Sequence, residues 1–125
     1  AAAALTTIQV IEDEDLCGNS RRMGERLLGH FQNFKEKFPF IGEVRGKGLF
    51  LGIELVKDRE TKEPVDEKRM KKFYRDGVER GLLAMSYKAT IRFQPALNID
   101  QESVDSGAAI LEELFEDMAA KGDWK

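Results

Sequence analysis

The positions Leu16, Ser20, Met23, Leu27, Phe31, Phe34 and Phe38 step by three and four, which predicts a long amphipathic helix that Pro39 stops. The period then changes to two. Leu49, Leu51, Ile53 and Leu55 share one parity, and Phe50, Gly52, Glu54 and Val56 the other. With Phe40–Arg45 and the Gly46-Lys47-Gly48 turn ahead of it, this run predicts a β-hairpin. The charged stretch Lys57–Glu63 reads as a turn. Pro64 reads as the opening of a helix with Met70, Phe73 and Gly77 or Val78 inward, and Gly81 as its C-terminal cap. Leu82–Met85 and Thr90–Phe93 read as two short strands around Ser86-Tyr87-Lys88-Ala89. A last helix starts from Asp100 as N-cap, with Ile99 and Val104 spaced as a hydrophobic staple and Val104, Ala108, Leu111, Phe115 and Met118 buried. The tail after it is expected to fray. This order predicts an α+β fold, a small antiparallel sheet with helices packed on one face in a two-layer sandwich.

The beginning of the chain fits this plan less well. Ala1–Ala4 and Leu5 are strong helix formers with no capping residue before them, and Leu5, Ile8 and Ile11 or Glu12 keep a helical spacing. The cluster Glu12-Asp13-Glu14-Asp15 suits the start of the next helix, where the macrodipole favours negative charge. An uncapped helix of small apolar residues reads as the cut end of a longer one; the alternative is a chain boundary that happens to be alanine-rich. No repeat, low-complexity tract or interdomain linker is visible.

Composition narrows the chemistry. The 125 residues are 42% hydrophobic and 34% charged, which excludes disordered, collagen-like and membrane classes. No apolar run is long enough to span a bilayer, and a basic-then-apolar leader is not expected from the first residues. With 20 basic against 23 acidic residues, a nucleic-acid surface is not expected. A single cysteine, Cys17, and a single histidine, His30, make neither an internal disulfide nor a structural zinc site, and point to a reducing, cytoplasmic compartment. No serine sits in a G-x-S-x-G setting, so no nucleophile–base constellation is complete. If the chain belongs to an enzyme, it is not expected to carry the whole active site.

Few residues invite a functional reading. Gly42–Gly48 resembles a phosphate loop only superficially: the spacing fails, no Ser or Thr follows the lysine, and a strand follows in place of a helix. His30 reads as a half-buried or surface histidine, Cys17 as a small packing residue, the phenylalanines as core, and Asp66–Lys72 as a solvated helix face. Arg92 differs. Ile91 and Phe93 flank it, so in a strand they point one way and Arg92 the other, and Pro95 then takes the chain out of the sheet. A guanidinium placed there can clamp a carboxylate bidentately, or form an ordinary ion pair with one of the chain's many acids.

Ala2–Leu5 through Val10–Glu14, then Ile41-Gly42-Glu43-Val44-Arg45-Gly46-Lys47-Gly48-Leu49-Phe50-Leu51-Gly52-Ile53-Glu54-Leu55, Arg80-Gly81-Leu82-Leu83 and Ile91–Ile99 resemble, in register, the C-terminal part of class III aminotransferases. These are fold type I enzymes that use pyridoxal 5'-phosphate (PLP). The resemblance implies residues 1–13 as the truncated end of an interdomain linking helix, 14–121 as the small C-terminal domain, and 122–125 as a tail. It implies that the cofactor-bearing lysine and the residues gripping PLP lie upstream, in a large domain, and that this chain alone is inactive. It implies an amino acid or amine as donor, a 2-oxo acid as acceptor, and a homodimer at full length. Arg92 falls where several members hold the substrate α-carboxylate, while no catalytic, cofactor-binding or metal-ligating residue is expected here. Two alternatives stay open: a free-standing α+β interaction module, and the same domain from a PLP racemase, mutase or decarboxylase.

Overall fold

The computed structural model describes residues 1–86 and 88–125, and its chain order is α1 (Ala2–Asp13), α2 (Leu16–Lys37), β1 (Ile41–Lys47), β2 (Phe50–Leu55), α3 (Glu67–Glu79), β3 (Thr90–Phe93) and α4 (Gln101–Lys121). The sheet is antiparallel in the order β1-β2-β3, with Val44 opposite Ile53 and Ile53 opposite Ile91. Alternation puts Leu51, Ile53 and Leu55 of β2 and Ile91 of β3 on one face, where they are buried with Leu27, Phe31 and Phe34 of α2 and Leu111, Phe115 and Met118 of α4. Five phenylalanines, Phe34, Phe38, Phe40, Phe73 and Phe115, join this core, with the Phe115 ring 5.4–5.8 Å from each of the other four. The result is the α+β two-layer sandwich that the patterning predicts.

The hairpin is locked to α2 at its turn. Gly48 takes φ +56°, at the first of two loop positions, as a primed hairpin turn requires. Ser20 Oγ accepts from the Leu49 amide at 3.1 Å, and a Cβ built on Gly24 would lie 2.1 Å from the Gly48 carbonyl oxygen. The helix backbone therefore reaches the turn only because residue 24 has no side chain. Asn19 Nδ2 donates to the carbonyls of Leu97 and Ile99 at 2.7 and 3.0 Å, fixing the chain just before α4. As expected, the Asp100 side chain caps α4, accepting from the Ser103 amide at 2.8 Å.

Three local expectations need correction. Pro64 does not open α3; it forms an isolated bridge with Val56, and the Val65 amide bonds the Leu55 carbonyl at 3.2 Å. Val65 is thereby buried at the edge of the core, and the helix starts only at Glu67. Leu82–Met85 is not a strand: only Met85 bridges to Arg92, through an Arg92 amide to Met85 carbonyl bond of 3.3 Å. Tyr87, in the connection between the two expected strands, lies outside the described residues. Nor do residues 122–125 all trail away, since Gly122 closes α4 at φ +64° and Trp124 packs on Phe40 with ring centroids 5.1 Å apart. Helix α1 forms over the expected span but buries no residue, and Leu5, Ile8 and Val10 are exposed. Among the described residues no helix is long and apolar enough to cross a membrane.

Candidate functional site

Strand β3 lies last in the sheet order, and it carries Arg92, the arginine singled out from the sequence. Gly52 stands opposite Arg92 in the β2–β3 ladder, and Met85 opposite it on the other side. Residues directly opposite in an antiparallel pair project to the same face. Arg92 and Met85 therefore stand side by side on the face turned away from the helices, while Ile91 is wholly buried on the inner one. Among the described residues the Arg92 side chain makes no hydrogen bond or ion pair, and it is exposed. The ordinary structural ion pair that could have explained it is therefore not formed among them.

Arg92 borders two hollows. The first is a cavity of about 360 Å³ between the 82–85 segment, the 93–95 exit and the helices, lined mainly by apolar groups such as Phe31, Leu83, Phe93, Pro95 and Leu111. Among the described residues Arg92 is the one charged residue of that lining. The second is an open depression of about 420 Å³ on the outer face of the sheet. Such an arrangement, one planar cation at the lip of an apolar cavity, suits an acid group with an apolar body behind it.

The other singled-out residues do not converge on it. His30 Nε2 lies 3.0 Å from Asp105 Oδ1, and Arg26 holds the same carboxylate by two bonds of 2.7 and 2.8 Å, clipping α2 to α4. These bonds, first that of Arg26 and then that of His30, hold the Asp105 carboxyl well below the usual carboxylate range. Cys17 is exposed and free. Gly42–Gly48 is strand and turn, with a register shift at Gly42. The 66–72 stretch is mixed, since Met70 is buried and Arg69 pairs with Asp123 at 2.9 Å. What sequence reading missed is Met85 beside Arg92 and the in-register row Arg45–Gly52–Arg92. The parities were legible, but the pairing register was not. Among the described residues, no group of His, Cys, Asp or Glu is gathered that could hold a metal.

A PLP site needs an amine to carry the aldehyde and a charged partner for the ring nitrogen. Among the described residues the apolar cavity has neither a lysine nor a carboxylate in its lining, so that lining does not fit the cofactor.

Residues 1–115 match the family Aminotransferase class-III. The taurine–pyruvate aminotransferase of Rhodobacter capsulatus is 47% identical over 97 residues, covering 78% of this chain and 20% of that protein. The leucine/methionine racemase of Thermococcus litoralis is 38% identical over 117 residues, covering 93% of this chain and 26% of the racemase. A solved amine transaminase from an uncultivated Pseudomonas species, in its PLP-bound form, superposes with a TM-score of 0.86 at 31% identity, over 93% of this chain and 27% of that one. The chain belongs to the class-III aminotransferase family of fold type I PLP enzymes, and it spans about a quarter of the length of these relatives.

Proposed function

We propose that this chain forms the substrate-carboxylate wall of a class III PLP-dependent transaminase. Its partner is a large PLP-binding domain, in a cytoplasmic homodimer that moves an amino group from an amino acid or amine to a 2-oxo acid. The carrying observation is Arg92, exposed at the end of β3, without an ion pair among the described residues, and bordering the apolar cavity. In this reading Arg92 receives the substrate carboxylate through its planar fork, and the apolar lining keeps water from the substrate's body. The amino-group chemistry belongs to the cofactor, held outside this chain.

The test uses a family-length enzyme containing this sequence, with each half-reaction measured separately. A charged hydrogen bond contributes roughly 1.5–3 kcal/mol, so Arg92→Ala is expected to lower kcat/KM for an amino acid by about ten- to a hundredfold. A simple alkylamine donor should be little affected in its own half-reaction. Equal losses for both donors would make Arg92 structural, and no loss for either would remove it from the site. The 125-residue chain alone is expected to show no transaminase activity; borohydride fixing stoichiometric PLP on one particular lysine of it would contradict this.

The racemase similarity supports a second reading, in which the same wall serves amino-acid racemisation. Loss of optical activity from a single amino acid with no 2-oxo acid present would select it.

A further inference from the structure

Helix α3 carries a row of cations for which the Arg92 reading has no use. Met70, Phe73 and Gly77 step by three and four and are buried, which turns that side of the helix to the core. Lys68, Lys71 and Arg75 repeat the same steps on the outward side, and all three are exposed. With Tyr74 they line an open hollow of about 390 Å³ whose lining, among the described residues, contains no carboxylate. It shares no lining residue with the two hollows that Arg92 borders.

The row stands out because it is unpaired. Arg26, Lys37, Lys72 and Arg80, all on or at the end of helices, each meet a carboxylate. Lys68, Lys71 and Arg75 form no hydrogen bond or ion pair among the described residues, although Glu67 and Glu79 stand four residues from Lys71 and Arg75. Like charges three and four residues apart on a helix repel, so the row weakens α3 unless an anion neutralises it. The chain has a formal net charge of −3, so these cations are not the excess of a basic protein.

Lys68 and Arg75 are seven residues apart, about 10 Å along the helix axis, and their long flexible side chains can meet on one anion between them. Arg75 offers a planar fork for two oxygens, while Lys68 and Lys71 add ammonium donors. A single carboxylate would leave part of this charge unmatched, whereas a diphosphate has charge and oxygens for all three. All four lining residues come from one helix, so the hollow is open on its outer side and leaves the rest of an ester in solvent.

We propose that the outward face of α3 is a diphosphate site, in which Lys68, Lys71 and Arg75 hold inorganic pyrophosphate or the diphosphate group of a soluble ester. It stands or falls independently of the role of Arg92.

The experiment titrates pyrophosphate and sulfate into the 125-residue chain at one fixed ionic strength, following the amide resonances of α3. Pyrophosphate is expected to bind at least tenfold more tightly than sulfate, with shifts centred on residues 68–75. Lys71→Gln and Arg75→Gln should each weaken it by about tenfold. Lys35→Gln, which removes an exposed cation of α2 that is unpaired among the described residues, should leave it unchanged. Without pyrophosphate, Lys71→Gln is expected to melt no lower than the parent chain, because it relieves repulsion, so its loss of binding is separated from loss of fold. If Lys71→Gln does not fold, Arg75→Gln decides the matter. Pyrophosphate bound no more tightly than sulfate, or weakened equally by Lys35→Gln and Lys71→Gln, would overturn the proposal. Sedimentation of the chain with phosphatidic-acid vesicles, without a response to soluble pyrophosphate, would overturn it as well and assign the face to a lipid surface.

Discussion

A side chain added at Gly24 would put its Cβ 2.1 Å from the Gly48 carbonyl oxygen, whereas one added at Gly29, five residues along the same helix, meets nothing within 4 Å. The atom in the way at Gly24 is backbone, so relief requires the hairpin turn to move off α2 and its Ser20–Leu49 bond to lengthen. Gly24→Ala is therefore expected to destabilise the fold by about 1–3 kcal/mol, the usual cost of overpacking. Gly29→Ala is expected to stabilise it by up to about 1 kcal/mol, because alanine loses less backbone freedom in a helix. Urea midpoints of the two variants against the parent chain check both signs. Midpoints that move the same way would show that the helix does not rest on the turn. Nothing in the periodicity separates these two glycines; the distinction comes from where α2 crosses the hairpin.

Among elements, the C-terminal end of α2 is capped from outside. Arg59, in the connection after β2, donates to the carbonyls of Lys35, Phe38 and Ile41, the last two at 2.9 and 3.0 Å. Those carbonyls terminate a helix and open a strand, where intrahelical partners run out. Arg59→Ala should cost about 1–2 kcal/mol, given its exposure. It should also speed hydrogen exchange in the last turn of α2 and at Ile41 more than in α4; uniform acceleration would argue for a global effect only. The long stripes of α2 and α4 and the alternation of β2 were readable because each buries one face over several turns or residues. The failures are where local signals met a competing partner. Pro64 favours a helix start, but bridging Val56 and burying Val65 keep the chain extended until Asp66. Leu82–Met85 has the composition of a strand, yet beyond β3 only Met85 finds a ladder partner. Arg92 could be singled out because its neighbours' parity is local, whereas Arg45 becomes part of the same row only through long-range register.

At the scale of the molecule, the electrostatics converge on α4. Asp105 is held low by Arg26 and then His30, Glu116 by Lys37, Asp117 by Arg80, and the capping Asp100 by Ser103. All four carboxyls have folded pKa values below their unfolded ones, so the unfolded chain binds more protons in acid. Their contribution is present above the ordinary carboxylate range near pH 4 and is lost as pH falls through that range toward the folded values. The urea midpoint is expected to be nearly flat from about pH 7 to 5 and to fall below about pH 4.5, with a shallower fall in Asp105→Asn; a flat profile down to about pH 2.5 would contradict this. The docked end of the chain has an optical consequence. Trp124 is the sole tryptophan, and its ring rests on Phe40 at the entrance to β1. Indole emission therefore comes from one seam, where the last turn closes over the start of the sheet, while circular dichroism averages over the helices. If the seam opens before the sandwich does, emission shifts to the red while ellipticity holds, and the two signals separate along a denaturant axis. The chain thus has a native fluorophore that reports the release of its own C-terminal end.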